Sequence, residues 1–130
     1  MRLLVVRHAE AAPGDPDELR PLTPRGREQA RELGARLRGE GLVPDAVLTS
    51  PLLRARETAA ALELGPPAVD ERLAPGATPA GVREAAGGRG ETVLVVGHQP
   101  DCGRIAAALS GGPEPAFPPC GVAVVELEDA

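Results

Sequence analysis

The stretch Leu3-Leu4-Val5-Val6-Arg7-His8 decides the fold of this chain. A short apolar run that changes abruptly to polar residues predicts a buried strand of a parallel sheet. Ligands of open α/β sheets bind beyond the carboxyl ends of the strands, which is where Arg7 and His8 would lie. A lone histidine at a strand end is more often structural than functional, so its role depends on the other junctions of the chain.

Two further apolar runs end in the same way. Residues 44–49 lead into Ser50-Pro51, and residues 92–96 lead into Gly97-His98-Gln99-Pro100. Strands that alternate with helical patterns of 10–15 residues indicate βαβ units. We expect helices after Thr23-Pro24, over about 51–62, over 78–86 and after Pro100, and further strands at 68–69 and 121–127. The sequence therefore predicts one α/β domain over residues 1–130, with helices on both sides of a mainly parallel sheet.

Composition narrows the function classes. The 130 residues include 19 acidic and 14 basic side chains, for a net charge of −5, and Phe117 is the one aromatic residue. An acidic chain without stacking platforms is not expected to bind nucleic acid. No apolar run is long enough for a membrane span and no signal-peptide pattern precedes the first strand, so we expect a cytoplasmic protein. Cys102 and Cys120 are expected to be buried thiols, although the sequence leaves a bridge open.

Unusual polar residues follow three of the predicted strands: Arg7-His8, Ser50 with Arg54, and His98-Gln99. The carboxyl ends of parallel strands lie at one edge, so these residues can converge. Two guanidiniums, two imidazoles and the free amides of helix starts suit a phosphoryl group. A neutral imidazole can accept that group and pass it to water. Two histidines with scattered carboxylates do not form the ligand cluster of a hydrolytic metal site, so we expect no metal and no cofactor.

At these residues the chain resembles the histidine phosphatase, or phosphoglycerate-mutase-like, superfamily. The Arg-His-Gly signature of that family is Arg7-His8-Ala9 here, and the late Gly-His element is Gly97-His98. The Ser-Pro-x-x-Arg-Ala-x-x-Thr pattern starts at Ser50, and Leu22-Thr23-x-x-Gly26 with Gln29-Ala30 matches the first-helix pattern. The matches run in family order from residue 3 to about 111. The resemblance implies a three-layer α/β/α, phosphoglycerate-mutase-like fold.

The resemblance also implies roles for the site residues. His8 would be the phosphorylated nucleophile, and Arg7, Arg54 and His98 would bind the phosphoryl oxygens. Ser50 and the backbone N–H of Gln99 are further substrate-binding candidates. Larger members carry a catalytic acid shortly after a segment like Asp70-Glu71-Arg72-Leu73, whereas this chain continues with Ala74-Pro75-Gly76. Glu10, two residues after the nucleophile, is the candidate substitute for that proton donor.

A missing acid favours one substrate class over another. An alkyl ester needs its leaving alkoxide protonated, and losing the acid should cost that reaction about 10²–10⁴-fold. A phosphoramidate depends less on an acid, so the chain most resembles the short phosphohistidine phosphatase branch, whose substrates are phosphorylated proteins. A phosphatase of small phosphate esters and a non-catalytic phospho-binding module remain the alternatives. Either a monomer or a homodimer is compatible with the sequence.

Overall fold

The computed structural model describes residues 1–128, which form one five-stranded sheet. The strands lie in the order β3-β2-β4-β1-β5: β1 is Arg2–Arg7, β2 Ala46–Thr49, β3 Pro67–Val69, β4 Thr92–Gly97 and β5 Val122–Glu126. The first four strands along the chain run parallel, and β5 pairs antiparallel with β1. The prediction of a mainly parallel sheet is confirmed.

Four α-helices of the described chain cover the two faces of the sheet: α1 Pro24–Gly39, α2 Leu53–Ala61, α3 Pro79–Ala86 and α4 Asp101–Ser110. Alternation along β1 divides the core, because Leu4 and Val6 pack with residues of α1 and α2 while Leu3 and Val5 pack with residues of α3 and α4. Short 3-10 turns at Asp17–Leu19 and Glu71–Leu73 complete the connections. The result is the predicted α/β/α layering.

Side-chain caps start two of the helices where the sequence predicts them. The hydroxyl of Thr23 accepts a hydrogen bond from the Gly26 N–H, and that of Thr78 accepts one from the Gly81 N–H. Each cap is followed by a proline at the first helical position, which needs no hydrogen-bonded N–H there. The predicted starts of α1 and α3 are therefore confirmed.

The predicted start of α2 is wrong. The helix begins at Leu53 and not at Pro51, and Leu52 is its N-terminal flanking residue, without a side-chain cap. The Ser50 N–H donates to Val96 O at 3.0 Å, so the strand pairing extends through Ser50 and delays the helix. The predicted inner face of the helix is nevertheless confirmed, because Ala55, Ala59 and Leu62 are buried.

Both cysteines are free, buried thiols. Cys102 packs in the cluster that contains Leu3 and Val5, and Cys120 packs in the cluster on the other face of the sheet. Burial raises the pKa of the Cys102 thiol to about 12 and that of Cys120 to about 11, so both stay protonated at neutral pH. None of the helices within residues 1–128 has the length and apolar character to cross a bilayer.

Candidate active site

The carboxyl ends of β1 and β4 bring the two histidines together. The His8 N–H donates to Gly97 O at 3.0 Å, which continues the pairing of the two strands by one residue. The rings of His8 and His98 lie with their centroids 5.2 Å apart and their planes inclined at 55°. The convergence expected from the sheet edge thus places both imidazoles at one site.

The His8 ring is held in a defined tautomer. Its Nδ1 lies 2.8 Å from Ala9 O, and a carbonyl only accepts hydrogen bonds, so Nδ1 carries the proton and Nε2 keeps its lone pair. Burial lowers the pKa of His8, and the charges of Arg54 and Arg7 lower it further, against the opposing effect of the Ala9 carbonyl. The imidazole is therefore neutral at pH 7, with Nε2 as its nucleophilic atom.

Buried hydrogen bonds tie the segment that carries His8 to α2. The Ala9 N–H donates to Thr58 Oγ1 at 2.9 Å, and the Thr58 hydroxyl donates to Arg54 O at 2.8 Å. Ala9 and Thr58 are both fully buried, so this relay is shielded from water. The segment that presents His8 and the helix that presents Arg54 are consequently fixed relative to each other.

His98 is almost completely buried and is held by Ser50. Its Nε2 lies 2.7 Å from Ser50 Oγ, and the same oxygen accepts a hydrogen bond from the Leu52 N–H at 3.2 Å. Burial lowers the pKa of His98 to about 4, and the nearby Arg54 guanidinium contributes to this shift. Ser50, expected among the substrate-binding residues, is itself fully buried, so the structure places it behind His98 as its support.

Backbone carbonyls orient both arginines. Arg7 Nη1 donates to Phe117 O at 2.9 Å, while the Phe117 side chain packs in the core. Arg54 Nη1 donates to Asp17 O at 2.9 Å, and Arg54 is buried although charged. The Nε atom of Arg7 is buried and has no hydrogen-bond partner within the described residues. Each guanidinium thus retains N–H groups for a further acceptor, and an oxyanion would satisfy them.

The other two candidates from the sequence have their side chains engaged nearby. Gln99 Oε1 accepts a hydrogen bond from the Gly103 N–H at 2.8 Å, in the first turn of α4. Glu10 Oε1 accepts from the Thr23 hydroxyl at 3.2 Å, and Glu10 Oε2 lies 3.8 Å from Arg25 Nε. The carboxylate of Glu10 therefore faces the N-terminal turn of α1. Its hydrogen bonds within the described structure are not with either histidine.

One residue of the site was missed by sequence reasoning, namely Asp17. Its Oδ2 lies 3.2 Å from Arg54 Nη2, and its Oδ1 accepts from Arg20 Nη1 at 3.2 Å. The hydrogen bond from Arg20, with that from Arg54, lowers the pKa of Asp17. The loop holds several acidic residues without periodicity, so the sequence carried no signal that singles out this one.

The arrangement can bind a tetrahedral anion and attack it with a neutral nitrogen. Guanidinium N–H groups match the oxygens of a phosphoryl group, and the two imidazoles lie within reach of their charges. Within residues 1–128, no group of three His, Cys, Asp or Glu side chains is placed to hold a metal ion.

The chain is similar in sequence and fold to known proteins. The family model described as the histidine phosphatase superfamily (branch 1) matches residues 3–77. An uncharacterized protein of Picosynechococcus sp. is 42% identical over 123 residues, with 86% of this chain and 74% of that protein covered. The phosphohistidine phosphatase SixA of Escherichia coli (strain K12) is 32% identical over 142 residues, with 100% of this chain and 88% of SixA covered.

A solved structure shows the same fold. The protein histidine phosphatase SixA complexed with tungstate superimposes with a TM-score of 0.89 at 29% sequence identity. The superposition covers 98% of this chain and 89% of that one. The predicted phosphoglycerate-mutase-like architecture is confirmed by this likeness.

Proposed function

The chain belongs to the histidine phosphatase superfamily, and from this premise we propose that it is a phosphohistidine phosphatase that acts through a covalent phosphohistidine on His8. The observation that carries the proposal is the His8 imidazole, neutral and fixed by Ala9 O, beside His98 and within the field of two anchored guanidiniums. Similarity to SixA, a phosphohistidine phosphatase, supports the substrate class. A relative that holds tungstate, a tetrahedral oxyanion, supports a phosphoryl site.

In the first step the Nε2 lone pair of His8 attacks phosphorus. A bond forms between Nε2 and phosphorus, and the bond between phosphorus and the substrate nitrogen breaks with its electron pair returning to the leaving imidazole. Positive charge develops on the His8 ring, and the Nδ1–H bond to Ala9 O stabilises it. Because burial and the nearby arginines lower the pKa of His8, the attacking nitrogen is unprotonated at neutral pH.

Arg7, Arg54 and His98 bind the phosphoryl oxygens during both steps. The guanidiniums stabilise the charge that spreads over the equatorial oxygens, and their carbonyl anchors hold them in place before substrate binds. In the second step water adds to phosphorus, the bond to Nε2 breaks, and inorganic phosphate leaves. The positive charge is supplied by side chains of the chain itself, so the proposed mechanism needs no metal ion.

A phosphohistidine substrate also fits the carboxylates around the site. Larger family members resembling this chain carry an acid in the segment after residue 73, where this chain has Ala74-Pro75-Gly76. Asp101 lies next to that segment, but it is buried and its Oδ2 accepts the Gly76 N–H at 2.8 Å. An alkoxide would leave without a positioned acid, whereas an imidazole protonated on its distal nitrogen leaves as a neutral molecule.

The experiment compares phosphate release from a phosphohistidine protein and from an alkyl phosphate, for the wild type and for His8→Gln. We expect the wild type to prefer phosphohistidine, and His8→Gln to lose roughly 10³-fold or more on both substrates. The variant should keep its circular dichroism spectrum, because His8 is at the site edge and not in the apolar core. Rapid quenching of the wild type in alkaline denaturant, which preserves the acid-labile phosphorus–nitrogen bond, should trap a phosphoenzyme that the variant lacks.

Three results would contradict the proposal. Turnover that persists in a folded His8→Gln protein would show that His8 is not the nucleophile. If an alkyl ester reacts faster than phosphohistidine, the protein is a phosphatase of small phosphate esters. Glu10 is then the first candidate proton donor to test by substitution. Phosphate binding by the wild type without any turnover would make the protein a phospho-binding module.

A further inference from the structure

We infer that the carboxylate of Asp17 recognises the protonated imidazole of a phosphohistidine leaving group, and so makes Asp17 a specificity residue. This inference rests on the proposed function and goes beyond it, because neither the resemblance nor the phosphoryl site assigns a role to the loop that carries Asp17.

The position of Asp17 is the first step of the argument. Its backbone O and its Oδ2 lie 2.9 and 3.2 Å from the two terminal nitrogens of Arg54. The Arg54 side chain is 8% exposed and that of Asp17 is 56% exposed, so Asp17 lies on the solvent side of the guanidinium. In-line attack by His8 drives the leaving group away from His8, toward the open side of the phosphoryl site. The inference is that the departing imidazole leaves past Asp17, the exposed carboxylate beside Arg54.

The acceptor capacity of Asp17 is the second step. A carboxylate has about four lone-pair positions. Arg54 donates one hydrogen bond to Oδ2 and Arg20 donates one to Oδ1, so each oxygen can accept another. The remaining positions face solvent on this exposed side chain. The hydrogen bond from Arg20 and that from Arg54 lower the pKa of Asp17, so the group is ionised at neutral pH. The ionised carboxylate can accept a hydrogen bond from an N–H group, but it has no proton to give to an alkoxide.

The chemistry of the leaving group is the third step. Phosphohistidine bears phosphorus on one ring nitrogen, and protonation of the other nitrogen gives an imidazolium. A hydrogen bond from that N–H to Asp17 favours the imidazolium form. When the nitrogen–phosphorus bond breaks, its electron pair returns to the ring and the distal proton stays, so a neutral imidazole leaves. A phosphate ester offers no such N–H.

The same contacts also orient Arg54, and the test must separate these two roles. Asp17→Asn keeps the backbone carbonyl and a side-chain carbonyl oxygen for Arg54 but removes the negative charge. Glu18→Gln is the matched control, since Glu18 is exposed, lies in the same 3-10 turn and loses the same charge. Both positions are at the surface, so the variants should fold like the wild type.

The experiment measures kcat/KM on a phosphohistidine peptide and on p-nitrophenyl phosphate for the wild type, Asp17→Asn and Glu18→Gln. We expect the loss of Asp17→Asn on the peptide to be roughly ten-fold larger than its loss on the ester, because one charge-assisted hydrogen bond is made by the peptide alone while any effect through Arg54 acts on both substrates. As the pH is raised, the rate on the peptide should begin to fall at a lower pH in Asp17→Asn than in the wild type, because the imidazolium form of the substrate is no longer favoured. Glu18→Gln should match the wild type on both substrates.

Equal losses on the two substrates would overturn the inference and reduce Asp17 to a positioning residue for Arg54. Unchanged rates on both would overturn it as well. In either case a wild type that dephosphorylates the peptide through His8 would leave the proposed function intact. A wild type that does not act on the peptide would instead contradict the proposed function itself.

Discussion

His98 should make the folded protein sensitive to mild acid. The residue is 4% exposed, and burial lowers its pKa from the ordinary 6.5 to about 4. The unfolded chain therefore binds a proton near pH 6.5, while the folded chain does so only near pH 4, and acidification through this window favours unfolding. One pH unit corresponds to about 1.4 kcal/mol, so the full effect is about 3 kcal/mol and about 2 kcal/mol is reached at pH 5.

The perturbation that isolates this effect is His98→Gln. Glutamine does not titrate, and its amide can still hydrogen-bond Ser50 from a similar position. Urea unfolding of both proteins at pH 8, 6.5 and 5 gives the difference in their free energies of unfolding, from which the titration of the shared carboxylates cancels. Relative to His98→Gln, the free energy of unfolding of the wild type should fall by about 2 kcal/mol between pH 8 and pH 5.

Parallel stability profiles would refute the reasoning. If the difference between wild type and His98→Gln stays constant from pH 8 to pH 5, His98 has an ordinary pKa in the folded state. The buried imidazole would then have an anionic partner or access to water in the folded protein, in conflict with its near-complete burial. A difference that grows in favour of the wild type on acidification would reverse the sign and contradict the burial of a neutral ring.

Two further predictions concern the backbone that presents His8. Gly26→Ala should cost about 1–3 kcal/mol and reduce activity, because the new methyl group would overlap the carbonyl oxygen of Glu10. Gly39→Ala, whose methyl group meets no described atom within 4 Å beyond its chain neighbours and its own helix backbone, should be neutral or slightly stabilising in the same thermal unfolding assay. Thr58→Val should lower the free energy of unfolding by about 1–3 kcal/mol and should lower kcat, because the buried Ala9 N–H loses its acceptor. Thr58→Ser keeps the hydroxyl and should retain most activity. Equal behaviour of the two variants would exclude the hydrogen bond as the cause.

The strand ends were predictable because burial patterns are local. The apolar run before Arg7 marks a strand that is covered on both faces, and the run before His98 does the same. The start of α2 could not be predicted in this way. Serine followed by proline is a typical helix start, but the Ser50 hydroxyl is bonded to His98, 48 residues away in sequence. A tertiary contact overrides the local preference there.

Side-chain positions in the charged loop before α1 were harder still to predict from the sequence. Glu10 was chosen as the candidate acid because it follows the nucleophile closely in sequence, yet its carboxylate contacts Thr23 and Arg25. Asp17 is nine positions from His8 and reaches Arg54 through the fold of the loop. The anchoring of Arg7 by Phe117 O is equally invisible, since a backbone carbonyl has no sequence signature. Nearness in sequence is a poor guide to side-chain direction in an irregular segment.

Burial and cationic neighbours act on this site in a single direction, and that direction favours phosphoramidate chemistry. They lower the pKa of His8, which keeps the attacking nitrogen free of a proton. They also lower the pKa of His98, which makes it a poor proton donor at neutral pH, and the arginines that hold Asp17 keep that carboxylate ionised. The groups nearest the phosphoryl site are thus adapted to accept hydrogen bonds or stabilise anions, and not to give protons away. For the proposed function, this means that the site suits a substrate whose leaving group already carries its proton.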